Sequence, residues 1–326
     1  MINIYGTIGP ACANPELLKE MFREGMTGMR INTSHMSVKE AAPQIRMIRE
    51  AAAACGMEAQ ILIDMQGPEL RIAKMTQQMN IEEDQRICFR EETCEGEGIP
   101  LPKMVYETLK AGIQVLLDDG KLLLEMLDDH EAIVRRGGGL SGGKSIALPG
   151  VELNPPAMTK QDRENIKAAV EYGVTGVMQP FVRSTADLQT VRNAINEACG
   201  NEIRLFAKIE NLSGVENLEN FFGLADEIVI ARGDLGNAMP LWELPRVQKD
   251  LSIRCKAAGV PFMVVSQMLA SMEHSAVPTR AEVSDIYNAI CDGASSVMVT
   301  GETAVGQYPI EVIRYLSRTV NSFRVT

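Results

Sequence analysis

Eight times along the chain a short apolar run gives way to an amphipathic helical pattern, and this alternation restricts the fold more than any other property of the sequence. INIYGTI, GMRIN and AQILID read as the first three strands. NPELLKEMFREG follows the first as a helix, with Asn14 at the cap, Pro15 in the first turn and Leu18, Met21 and Phe22 on one face. Val38 to Cys55 reads as a second helix, stopped by Gly56. After the third strand the helix is delayed. Alternation resumes at Thr159, where Asp162 completes a capping-box-like pattern and Ile166 and Val170 face inward. TGVMQPF is the fourth strand, and Ser184 and Asp187 cap a helix carrying Leu188, Val191 and Ile195 at helical spacing. IRLFAKIE and EIVIARGDLG supply strands five and six, with a short helix between them. Leu244 to Ala258 is a helix, PFMVVSQ strand seven, Thr279 to Gly293 a helix and SSVMVT strand eight, and Pro309 opens the closing helix. Runs such as IVIA and FMVV suit strands buried on both faces. The pattern predicts an α/β fold, a TIM (β/α)8 barrel.

The delay has its own signature. IEEDQRICFREE, IQVLL, KLLLEML and HEAIVRR read as short strands joined by turns such as Asp118-Asp119-Gly120. Gly137 to Gly143 reads as a mobile glycine-rich connection. The expectation is a small all-β lid domain at 72–153, inserted after strand three between barrel segments 1–71 and 154–326.

Composition narrows the partners. A net charge of −11 over 326 residues argues against nucleic acid or an anionic membrane, and any cations that meet an anionic substrate must be gathered locally. Hydrophobic residues at 45% and charged residues at 23% are ordinary for a soluble globular chain. The seven cysteines show no CxxC and no zinc-like spacing, which predicts reduced thiols and a cytoplasmic protein. MINIYGTIGP has neither a basic n-region nor a long apolar h-region, so no signal peptide is expected. No apolar run approaches bilayer length.

Chemistry concentrates at the strand ends. Alternation along IRLFAKIE puts Lys208 and Glu210 on the same side of the strand, an ammonium beside a carboxylate. The next strand finishes on Arg232, Gly233 and Asp234. Two carboxylates and a lysine at neighbouring strand ends suit a divalent metal and a phosphate. Taken singly, each end reads equally well as a surface ion pair or a Gly-Asp turn. Catalytic groups of such barrels lie at the C-terminal ends of strands. Reading only those ends adds Arg30, Asn32, Ser34 and His35, then Asp64, Glu69 and Arg71, then Ser266 and Gln267, then Thr300, Gly301 and Glu302. Ser266, Thr300 and His35 are also the residue types that cap helices and satisfy loops.

The segments YGTIGPA, RINTSH, DMQGPELR, LLDDG, ALPGVELN, FVRS, AKIEN, ARGDLG, SQMLASM, PTRAEVSD and GETAVGQYP fall in an order that resembles the pyruvate kinase family, from Ile2 to about Tyr315. The resemblance implies transfer of a phosphoryl group from phosphoenolpyruvate to ADP, giving pyruvate and ATP. It implies Glu210 and Asp234 as ligands of Mg2+ (or Mn2+), Lys208 and Arg30 as the cations on the phosphoryl group, and the amides of Gly233 and Asp234 as receivers of the substrate carboxylate. Ser266 takes the place of a threonine that meets substrate and takes part in catalysis. Asn32, Ser34, Asp64 and the carbonyl of Met65 match the K+ site, and Glu69 the variant that needs potassium. His35, Arg71, Lys144 and Asn32 match nucleotide contacts. A homodimer through the barrel, or a monomer, is the expected assembly, because the chain ends at Thr326, where the family continues into a C-terminal regulatory domain.

Several positions depart from the family pattern. Ser266 stands for threonine, Met65-Gln66 for Thr-Lys and Thr33 for phenylalanine, and Gly137-Gly138-Gly139 is unusual. These departures leave two alternatives: a lyase or decarboxylase using the same pyruvate or enolpyruvate site in a biosynthetic pathway, and a non-catalytic metabolite-binding paralogue. Lys144 argues against the first, since a lyase needs no nucleotide contact. The retained set of Lys208, Glu210, Asp234 and Lys144 argues against the second.

Overall fold

The structure, a computed structural model, describes residues 2–34, 36–118, 120–151 and 153–323. It divides into two compact units. The first comprises the chain up to Gly67, Ala157–Gly233 and the chain from Leu244 on. Its eight strands are β1 (Asn3–Thr7), β2 (Gly28–Asn32), β3 (Gln60–Asp64), β4 (Gly176–Gln179), β5 (Arg204–Ile209), β6 (Glu227–Ala231), β7 (Phe262–Val265) and β8 (Ser296–Met298). They close in sequence order into a parallel barrel, β8 returning to β1 through Ile4 opposite Val297. The barrel is a TIM barrel, as the alternation predicts. Its strands carry a buried apolar cluster of Tyr5, Leu62, Met178, Phe206, Val229, Ala231, Met263, Val265 and Met298. On β5, Phe206 is in that cluster, so period-2 alternation carries Lys208 up the same face towards the rim.

The helices that follow the strands include α1 (Pro15–Arg23), α2 (Ala42–Ala53), α3 (Lys160–Tyr172), α4 (Thr185–Glu197), α5 (Leu212–Glu216), α6 (Leu244–Ala258), α7 (Arg280–Asp292) and α8 (Pro309–Ser322). Their ends follow the cap chemistry of the sequence. Asn14 accepts from the amides of Glu16 and Leu17, Ser184 accepts from Asp187, and Thr159 with Asp162 forms a reciprocal capping box. The second helix begins at Ala42, not Val38, because a start at Val38 would set Pro43 in the helix interior, where it costs a hydrogen bond and clashes. Strand six is also shorter than its sequence suggests. Its pairing with β7 ends at Ala231 opposite Val265, and Arg232–Asn237 coil into a short helix instead.

The second unit comprises Pro68–Pro156 and Asp234–Glu243. It is the small lid domain that follows β3, and it is built from sheet. Six strands pair in the order Ile146–Ala147, Gln114–Leu117, Leu122–Met126, Glu131–Arg136, Arg86–Glu91 and Ile99–Leu101, the last pair parallel. Ile87, Phe89, Leu101, Val115, Leu117, Leu124 and Val134 are among its buried core. One four-residue helix, Lys103–Tyr106, breaks the all-β expectation. The glycine run is not a loose connection either. Gly138–Leu140 is a strand paired antiparallel with Met79–Ile81. A Cβ on Gly137 would lie 2.2 Å from the carbonyl oxygen of Ile81, so glycine is what lets the two backbones approach. Among the described residues no helix is long and apolar enough to cross a membrane.

Candidate active site

The C-terminal ends of β2, β3 and β5 bring four charges together. Arg30 grips Asp64 through Nη2 at 2.7 Å and Nε at 2.8 Å. Lys208 Nζ lies 3.1 and 3.3 Å from the two oxygens of the same carboxylate, and 2.9 Å from Glu210 Oε1. The other oxygen of Glu210 accepts from the amide of Phe181 at 2.8 Å. The side chains are 14% (Arg30), 4% (Asp64), 12% (Lys208) and 1% (Glu210) exposed, so each charge is shielded from water and depends on its neighbours. Burial alone would raise the pKa of Asp64, but Lys208 and Arg30 outweigh it and hold the carboxyl below the ordinary range. The quartet is neutral, two cations against two carboxylates.

Strand alternation foretold the Lys208–Glu210 pair. It gave no hint that Asp64 would join Arg30 to Lys208, since the lysine is 144 residues away and reaches it only because the barrel closes. One support was equally hidden. Asp162 is fully buried, and its carboxylate accepts from the amides of Gln66 and Gly67 at 2.9 and 3.0 Å, fixing the backbone after β3. Its capping-box spacing is visible in the sequence, but these long-range bonds are not.

The remaining rim residues of the barrel unit have partners of their own. Asn32 lies opposite Asp64 in the β2–β3 register, and its side-chain oxygen accepts from the amide of Ser34 at 3.0 Å. Thr33 is buried, and both its amide and its hydroxyl donate to the carbonyl of Asp64. Met65 is buried and continues the ladder to β4 through Met178. His35 lies outside the described residues. Ser266 follows β7 with φ +79°, and its hydroxyl sits close to Gly233: a Cβ built on that glycine would be 3.4 Å from it. Glu302 ties two rim loops together instead of reaching outward, its carboxylate accepting from the amides of Leu269 and Thr300.

Within the lid unit, Arg71 donates to Glu69 Oε2 at 2.8 and 3.0 Å and to the carbonyl of Gly143 at 2.7 Å. Arg71 bridges Ser145 across the sheet edge, beside Lys144. Lys144 Nζ lies 2.8 Å from Asp118, which Lys121 also contacts. Burial opposes the charge on Asp118, and these two lysines more than offset it. Asp234 stands in the first turn of the helix Arg232–Asn237.

Oxygen donors dominate every candidate cation ligand, as Mg2+ and K+ require. Among the described residues no cluster of three or more acidic, His or Cys side chains is arranged to hold an ion.

A family model described as pyruvate kinase, barrel domain, matches residues 1–313. A pyruvate kinase of Sporosarcina psychrophila is 36% identical over 97% of this chain and 56% of its own length. One from Bacillus licheniformis is 37% identical over 95% of this chain and 55% of its own. One from Mycobacterium intracellulare is 36% identical over 97% of this chain and 69% of its own. The chain thus spans about half the length of the first two relatives.

Proposed function

Since the chain belongs to the pyruvate kinase family, we propose that it moves a phosphoryl group from phosphoenolpyruvate to ADP and then protonates the enolate to pyruvate. The observation that carries this reading is the neutral, buried quartet of Arg30, Asp64, Lys208 and Glu210. Phosphoryl transfer asks for positioning and for neutralisation of spread negative charge more than for covalent chemistry. Arg30 and Lys208 are fixed before substrate arrives, so they supply that neutralisation with little reorganisation. Because the resting charges already cancel, a phosphate dianion is best received together with a divalent cation.

We assign Glu210 and Asp234 to Mg2+ or Mn2+, which when bound draws charge from the phosphoryl oxygens. Asn32, Ser34, Asp64 and the Met65 carbonyl are assigned to K+. The Gly233 and Asp234 amides receive the substrate carboxylate. Arg71, Lys144 and His35, with Asn32, are assigned to the nucleotide phosphates. The Ser266 hydroxyl delivers the proton that converts enolate to pyruvate: the enolate π pair forms the methyl C–H bond, and water returns a proton to the serine oxygen. The test is pyruvate formation from phosphoenolpyruvate with Mg2+ and K+, measured with and without ADP. Strictly ADP-dependent pyruvate supports the reading. Pyruvate made without ADP, or none in either case, refutes it.

A further inference from the structure

Strand β7 ends in a turn that side chains rarely adopt. Ser266 has φ +79° and Gln267 φ +55°, two successive residues bearing a Cβ in the left-handed region. Such a conformation persists only where the surroundings over-determine it. The neighbouring strand end supplies the constraint. Arg232, directly after β6, donates twice to the carbonyl oxygen of Ser266, from Nη2 at 2.7 Å and from Nε at 3.1 Å. Nη2 also meets Sδ of Met268 at 2.9 Å, so one guanidinium holds the residue that enters the turn and the residue that leaves it.

The guanidinium is itself fixed from behind. Nη1 lies 2.6 Å from Asp285 on α7 and 3.4 Å from the side-chain oxygen of Gln248 on α6. Its side chain is only 11% exposed. A planar fork can face a carbonyl on one edge and a carboxylate on the other, and a lysine ammonium cannot. An ion pair serving stability alone would need only Asp285. The second edge meets the carbonyl of Ser266, the first residue of the left-handed turn. Gly233, which the Ser266 hydroxyl faces, is the next residue along the chain from Arg232. Clamp and target therefore belong to one segment.

We propose that Arg232 is a positioning residue whose grip on the Ser266 carbonyl imposes the left-handed turn and sets the Ser266 hydroxyl against Gly233. The catalytic half of this inference rests on the phosphoenolpyruvate reading above, whereas the clamp is a statement about the backbone alone. The experiment joins a structural and a kinetic arm. Crystal structures of Arg232→Gln and Arg232→Lys are compared with wild type, Arg232→Lys keeping a cation for Asp285 and so guarding the fold. Solvent-deuterium exchange into the pyruvate methyl group, read by NMR, is measured for the same variants in Ser266 and Ser266→Ala backgrounds. Arg232→Gln is expected to lose the positive φ at Ser266. A positioned proton donor is worth roughly 10²-fold or more, and Arg232→Gln should lose most of that in exchange. In the Ser266→Ala background it should cost less than about threefold, the non-additivity of residues acting as one unit. An unchanged turn in Arg232→Gln, or losses that multiply in full in the double variant, would overturn the proposal. If the wild-type protein showed neither pyruvate formation nor exchange, the phosphoenolpyruvate reading would fall, and the backbone of Arg232→Gln would then decide the clamp by itself.

Discussion

Asp64→Asn tests the charge arithmetic of the site. The substitution removes the carboxylate that Arg30 and Lys208 share, so these four side chains, balanced in charge, become a set with a surplus positive charge. Removing one partner of a buried ion pair costs about 3–5 kcal/mol. The lower end applies, because the asparagine oxygen still accepts one hydrogen bond and the two cations keep 14% and 12% exposure. Unfolding entropy of about 2.1 cal/mol/K per residue gives about 0.7 kcal/mol/K for this chain, so about 3 kcal/mol lowers Tm by about 4 °C. The same surplus charge makes the variant a better anion site. Inorganic phosphate without metal should therefore stabilise Asp64→Asn more than wild type, opposite in sign to the effect of the substitution itself. The pH dependence follows from the depressed pKa of Asp64. A carboxyl held below its unfolded value contributes stability that is fully present above that value and is lost as pH falls through the folded value. The gap in Tm between wild type and Asp64→Asn should stay constant from about pH 8 to 5 and narrow only below about 4. The assay is calorimetry in a non-coordinating buffer, with and without phosphate. A variant as stable as wild type, a gap that closes near neutral pH, or equal stabilisation of both proteins by phosphate would refute the reasoning.

Lys208→Met should fold and should lower turnover by about 10²–10³-fold or more, the worth of a preorganised electrostatic group. Near-normal ATP production by the folded variant would remove Lys208 from the mechanism. Potassium should activate and sodium substitute poorly; full activity with Mg2+ and only a bulky organic cation would show that Asn32, Ser34, Asp64 and Met65 hold no working monovalent ion. Burial pushes the thiols of Cys12 and Cys255 up to about 11 and about 12, so both should stay unmodified by a thiol reagent at pH 8 in the native protein, while Cys88, Cys94, Cys199 and Cys291 react; native labelling of all seven would contradict the burial. Gly137→Ala should lower the thermal stability of the lid unit, because the added carbon meets the Ile81 carbonyl; an unchanged melt would show that the backbones can part without cost.

The sequence by itself determined the barrel and its interruption. Period-2 and period-3.6 patterns are local, and cap residues such as Asn14, Thr159 and Ser184 mark helix starts within three residues of what they bind. It also determined the Lys208–Glu210 pair, because alternation along one strand fixes which side chains share a face. At the start of α2, Pro43 sets the boundary within a longer helical pattern, so the element matches the sequence and only its first residue differs. The glycine run misled for a different reason: flexibility is a property of glycine in isolation, whereas close backbone approach is a property of the partner strand, and Met79–Ile81 lies far away in the chain. Tertiary structure alone decided the rest. Asp64 joins Arg30 to Lys208, Asp162 holds the backbone after β3, and Arg232 holds Ser266 while anchored to Asp285, 53 residues on. Each of these links joins segments far apart in the chain that strand pairing and the helices packed outside the sheet bring side by side at the strand ends. Local propensity has no term for that pairing, so the sequence named the charged residues and the fold chose their partners.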